Sequence, residues 1–109
     1  MNKLSLPRPV AAYFNADRLG GDAVARCFTE DGTVTDEGQT YVGGEAIAAW
    51  KNAASARFTY STEPVDIDQS GENPVVKGRV TGNFPGSPVL LRYTFFIDQD
   101  RITSLEIVP

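Results

Sequence analysis

The spacing of apolar residues changes partway along the chain. Leu6, Val10, Tyr13 and Phe14 follow helical spacing, and Asp17 falls on the same face. Pro7 and Pro9 suit a first helical turn, Ser5 is placed to cap it, and Gly20-Gly21 ends it. Asp22 then reads as the cap of a short second helix carrying Val24, Cys27 and Phe28 on one side. Thr29-Glu30-Asp31-Gly32 reads as a turn. Thr33 to Asp36 looks like a strand that Glu37-Gly38 folds back onto Thr40-Tyr41-Val42. After Gly43-Gly44, the stretch from Glu45 to about Arg57 is a third helix, with Ile47, Trp50 and Ala54 along one side.

From Phe58 the period becomes two. Phe58, Tyr60 and Thr62 alternate with Thr59 and Ser61, and Val65 and Ile67 continue past Pro64. A polar turn over Gln69 to Pro74 leads to a strand from Val75 to Asn83. A Phe84-Pro85-Gly86-Ser87-Pro88 loop follows, then strands over Val89 to Ile97 and Arg101 to Val108, joined at Asp98-Gln99-Asp100. Helices first and strands afterwards imply an α+β fold: three helices with a short hairpin, then about four long antiparallel strands. Residues 1–109 read as one domain, without repeat or linker. In the fifth strand Leu91, Tyr93, Phe95 and Ile97 take one face while Leu90 and Phe96 take the other. Two apolar faces predict that the second is also covered, most simply by another copy in a homodimer through the sheet.

Composition narrows the chemistry. Fourteen acidic residues against ten basic ones give a net charge of -4, a poor basis for gripping phosphate backbones, so nucleic acid is not an expected partner. There is no histidine and one cysteine, Cys27. That removes histidine triads and dyads, His-ligated metals and internal disulfides. Acid–base work falls to carboxylates, tyrosines, lysines, the thiol or water. No apolar run approaches the roughly 20 residues of a membrane span. The opening Met-Asn-Lys-Leu-Ser-Leu-Pro lacks an apolar signal core, so a cytoplasmic protein without cofactor or membrane partner is expected.

Phe28-Thr29-Glu30-Asp31-Gly32-Thr33-Val34-Thr35-Asp36, followed by Tyr41-Val42-Gly43-Gly44-Glu45-Ala46-Ile47-Ala48-Ala49-Trp50, resembles the nuclear transport factor 2-like superfamily. The SnoaL-like and ketosteroid isomerase-like branches are the most similar, and the element order matches over nearly the whole chain. The resemblance implies a cone-shaped, cystatin-like α+β barrel: a curved sheet around helices, with a pocket at its open end and frequent dimerisation. Functions in that superfamily run from isomerases, cyclases and epoxide hydrolases to modules without chemistry, so the fold alone does not name the reaction.

Asp36 shares strand parity with Val34, so an inward Val34 implies an inward Asp36. A carboxylate there suits proton abstraction beside a carbonyl; the alternative is that it only closes the Asp36-Glu37-Gly38 turn. The resemblance places Asp36 where ketosteroid isomerases carry their general base. It likens Tyr13 to their oxyanion-binding phenol, against the alternative of a Tyr that packs its ring and exposes its hydroxyl. Those enzymes also use an acid from the penultimate strand, where this chain has Tyr93, and SnoaL-type cyclases add a histidine that is absent here. The catalytic candidates are therefore Asp36, Tyr13 and Tyr93. Phe14, Phe28, Tyr41, Trp50, Phe84 and Phe95 either line a pocket for a small apolar molecule or are plain core. An Asp-Arg-Asp grouping of the epoxide hydrolase kind would need Arg79 or Arg92, which with Lys77 otherwise read as solvated charges.

Overall fold

The computed structural model describes residues 4–109; the sequence expectation for the Met1–Lys3 stretch lies outside them. In chain order the elements are α1 (Arg8–Ala16), α2 (Gly21–Ala25), β1 (Phe28–Asp36), β2 (Gln39–Val42), α3 (Gly44–Arg57), β3 (Tyr60–Asp68), β4 (Val75–Gly82), β5 (Val89–Asp98) and β6 (Arg101–Val108). They form the expected α+β architecture, with one curved six-stranded sheet ordered β2-β1-β6-β5-β4-β3. Every pairing is antiparallel except β1 with β6, which is parallel. The four long strands β3 to β6 pair antiparallel as expected, and the parallel pair joins the last of them to β1. The long excursion through α3 and β3–β5 is what lets these two strands run the same way.

Several local expectations are corrected. Pro7, not Ser5, flanks α1, and no side chain caps that helix. Gly20 precedes α2, Asp22 lies inside its first turn, and Phe28 opens β1 rather than joining the helix. Thr29 to Gly32 is strand and not turn. A register shift against β6 between Phe28 and Thr33 accommodates these polar residues.

Both tight hairpins follow from backbone chemistry. Glu37 and Gly38 have φ of 52° and 78°, and Gln99 and Asp100 have 49° and 68°. Paired positive φ values match the right-handed twist of the strands they join. Pro64, which has no N–H to donate, lies in β3, at the sheet edge where only β4 pairs with it.

The core lies between the inner sheet face and the helices. Val10, Val24, Val34, Ile47, Phe95, Ile102 and Leu105 are all fully buried there. Tyr13 and Phe14 stand edge-on to Phe95, with ring centroids 5.5 and 5.9 Å away, a favoured aromatic geometry. The outer face is mixed rather than uniformly apolar. Exposed Leu90 lies across the ladder from exposed Arg79, and exposed Val108 lies across from exposed Arg92. No helix among the described residues is long and apolar enough to cross a membrane.

Candidate functional site

A cavity of about 500 Å³ opens between α3 and the inner face of the sheet. That volume suits a small organic molecule. Tyr13 of α1, Asp36 at the end of β1, Trp50 and Lys51 of α3, Tyr60 of β3 and Tyr93 of β5 bring polar groups to its wall. Phe84 and Leu91 add apolar surface. A neighbouring hollow shares Asp36, Trp50 and Arg57, and Tyr41 lines that hollow instead.

Strand parity determines where Asp36 points. Val34 is fully buried, and Asp36 two residues on faces the same side. Its Oδ2 accepts a hydrogen bond of 3.1 Å from Trp50 Nε1, so α3 rather than the Glu37-Gly38 turn orients the carboxylate. Asp36 is half-buried. Trp50 itself stacks at a tilt on Tyr41, centroids 6.1 Å apart.

Tyr13 and Tyr93 meet at the inner end, with ring centroids 6.3 Å apart. Burial pushes the Tyr13 phenol well above its ordinary value, and Asp17 adds to the shift. Burial does the same to Tyr93, again helped by Asp17, while a hydrogen bond with Thr62 opposes it. Both therefore remain hydrogen-bond donors at neutral pH. Gly78 makes room for one of them. A Cβ at that position would stand 2.7 Å from the Tyr93 ring.

One cluster lies outside the sequence-derived set. Lys51 pairs with Oδ1 of Asp17, and its Nζ donates a 3.0 Å hydrogen bond to the Tyr60 hydroxyl. The two charged side chains are only 6% and 5% exposed. Asp17 flanks the C-terminus of α1, where unpaired carbonyls disfavour a carboxylate, and the ammonium offsets that repulsion. Burial alone would lower the Lys51 pKa, but Asp17 and then Tyr60 outweigh it and hold the group above its ordinary value. A signal was present in the sequence. Lys51 is i+4 from Ile47 and Asp17 is i+7 from Val10, so opposite charges interrupt two apolar stripes.

The remaining candidates separate clearly. Phe84 lines the cavity and its ring lies 6.0 Å from that of Phe58. Phe14, Phe28 and Phe95 do not line it. They pack behind it as core because Tyr13 and Tyr93 stand between them and the opening, with Tyr13 edge-on to all three rings. Lys77, Arg79 and Arg92 lie on the outer side, with Arg79 held 3.2 Å from Glu63, so neither arginine can complete an Asp-Arg-Asp grouping here. Cys27 is half-buried, its thiol pushed up by burial. No group of three or more metal-ligating side chains occurs among the described residues.

Residues 9–104 match the model of the SnoaL-like domain. The chain belongs to the SnoaL-like domain family. Its fold is that of the ketosteroid isomerase-like and NTF2-like proteins. A crystal structure from Sinorhizobium meliloti, of a protein assigned to the polyketide cyclases, is 42% identical with a TM-score of 0.87 and 94% of each chain covered. A Catenulispora acidiphila protein of ketosteroid isomerase-like fold, solved with trimethylamine, is 22% identical with a TM-score of 0.84; 96% of this SnoaL-like chain and 87% of that one are covered. The epoxide hydrolase/cyclase-like enzyme SalBIII, of pyran ring formation in salinomycin, is 20% identical with a TM-score of 0.76, covering 92% and 86%. Comparison with curated proteins finds no match.

Proposed function

We propose that this SnoaL-like protein is an isomerase- or cyclase-type enzyme that moves a proton within a small, largely apolar molecule bearing a carbonyl or hydroxyl group. Asp36 is the base, and Tyr13 and Tyr93 hold the oxygen on which charge develops. The observation that carries this reading is that one oriented carboxylate and two protonated phenols line a single cavity. Asp36 takes the proton from the carbon beside the carbonyl, the C–H electron pair passes onto the oxygen, and the phenols donate to it. The resulting carboxylic acid returns the proton at another carbon; alternatively the carbanion adds to a second carbonyl carbon of the same molecule, that C=O π pair moves onto its oxygen, and the acid returns the proton to the new alkoxide. Atoms and electrons balance without an oxidant or reductant. The assignment of the S. meliloti relative to polyketide cyclases supports a substrate of this class.

The test is a screen of small enolisable ketones and polyketide-like aromatics against wild type and Asp36→Asn. Turnover is expected to fall by roughly 10²- to 10⁴-fold in the variant. Equal rates in both would remove Asp36 from the mechanism. A ligand-binding module without turnover is the second reading, favoured by Tyr93 standing where isomerases of this fold carry an acid. It predicts saturable binding with no product. The mixed outer face, with Leu90 and Val108 among Arg79, Arg92, Glu63 and Glu106, has the self-complementary charges a homodimer through the sheet would use. Sedimentation that returned a monomer would remove that proposal.

A further inference from the structure

We infer that the Lys51 ammonium, together with the Tyr60 hydroxyl, is the anion-receiving end of the cavity, and that the ligand held there is a small aromatic molecule that carries, besides the carbonyl oxygen facing Tyr13 and Tyr93, an acidic hydroxyl bound as its oxyanion. This rests on the proton-transfer reading and specifies the substrate class of the same site. An ammonium has three donors and no acceptor. Asp17 takes one and Tyr60 a second, which leaves one for a ligand, and Lys51 lines the cavity. The Tyr60 oxygen is an acceptor toward Lys51, so its own O–H is available to the cavity it also lines. A donor chain beginning at a buried cation polarises each bond after it and gives the strong, charge-assisted kind of contact.

The walls point to a flat ligand. Trp50 carries the ammonium 4.6 Å from its ring centroid and donates from its Nε1 to Asp36, so one indole joins the two ends. An enolisable molecule lying along it meets a base at one end and a cation at the other. The titratable groups sharing this space are Asp36, Glu37, Arg57, Tyr13 and Tyr93, with Asp17 behind Lys51. Asp17 also sets the kind of chemistry. It keeps Lys51 charged, so the amine acts as an electrostatic partner rather than as a nucleophile forming an imine.

The probe is 4-nitrophenol, whose ionised form has its own visible band, compared with nitrobenzene as an uncharged analogue. Wild type is expected to bind the phenolate roughly tenfold or more tightly than nitrobenzene. It should also show the phenolate band at a pH where the free probe is mostly protonated. The paired variant Asp17→Asn/Lys51→Met, which removes both charges together, should lose the preference, and Tyr60→Phe, which leaves the ion pair in place, should reduce it several-fold. Circular dichroism checks each fold, and Tyr60→Phe decides the matter if the paired variant is unfolded. A preference that persists in folded variants, or wild type binding both probes equally, would overturn the inference while leaving Asp36 chemistry standing. Phenolate preference without Asp36-dependent turnover supports the inference and overturns the proton-transfer reading. Binding of neither probe would overturn the inference, and Asp36-dependent turnover in the ketone screen would still decide the proton-transfer reading.

Discussion

Asp17 and Asp36 are the same chemical group placed in two environments a short distance apart in the fold. Asp17 is sealed at the end of α1 with an ammonium against it; Asp36 is half-buried at the end of β1 and held by a neutral indole N–H. A paired carboxylate has its charge compensated and its lone pairs committed to the structure. A carboxylate held by a neutral donor keeps lone pairs for a substrate. The difference lies in the partner rather than in the residue type, and it divides the cavity into an ion-paired end and an end whose carboxylate has only a neutral partner.

The largest effect expected from disturbing that division is on stability. Lys51→Met alone leaves Asp17 buried and uncompensated, and should cost about 3–5 kcal/mol in urea unfolding. Replacing Asp17 and Lys51 together by Asn and Met should recover most of the loss, because neither charge then has to be desolvated. A cost below about 1 kcal/mol for the single change would mean that water already reaches the pair.

Alkali probes the same end without mutation. Tyr13, Tyr93 and Lys51 all have folded pKa values raised above their unfolded ones. The folded state thus binds more protons than the unfolded state between the two values, and stability falls as pH rises. The contribution is whole below about pH 10, where the unfolded groups begin to lose protons, and disappears as pH climbs through the folded values. Midpoints of thermal unfolding from pH 8 to 11 should drop steeply at the upper end in wild type and less steeply in Tyr93→Phe. A flat profile would contradict the burial of these groups.

The smallest effect belongs to the Asp36 end. Trp50→Phe keeps a ring against Tyr41 and removes the donor to Asp36, which should cost about 0.5–1.5 kcal/mol of stability. In any reaction shown to depend on Asp36, kcat should fall more than KM rises, since the carboxylate loses orientation rather than presence. An unchanged kcat would show that the indole bond is not what aims the base.

Much of this was legible in the residues, for reasons that can be named. Alternation over Val89 to Ile97 places Tyr93 and Phe95 inside, and Val34 carries Asp36 to the same side two residues later. The Glu37-Gly38 turn announces itself by its glycine. Thr29 to Gly32 reads as a turn because the local polarity of a bulged strand is that of a turn; only its parallel partner β6 shows otherwise. The separation of Tyr93 from Phe95 was not legible either, because both have the same parity and only the third dimension puts one at the cavity and one behind it. The place of Lys51 is hidden in the sequence for a different reason. Each interrupted stripe has an ordinary solvated explanation by itself, and the meaning appears only when the fold sets Lys51 against Asp17.

The sheet order carries a consequence for how the molecule comes together. The strand that is sixth along the chain is third across the sheet, hydrogen-bonded to β1 on one side and β5 on the other. Until it is laid down, β1–β2 and β3–β5 are two ribbons with facing unpaired edges and no ladder between them. A chain stopped before Ile102 would hold Asp36 on one ribbon and Tyr93 on the other, with no ladder to join the two sides of the cavity.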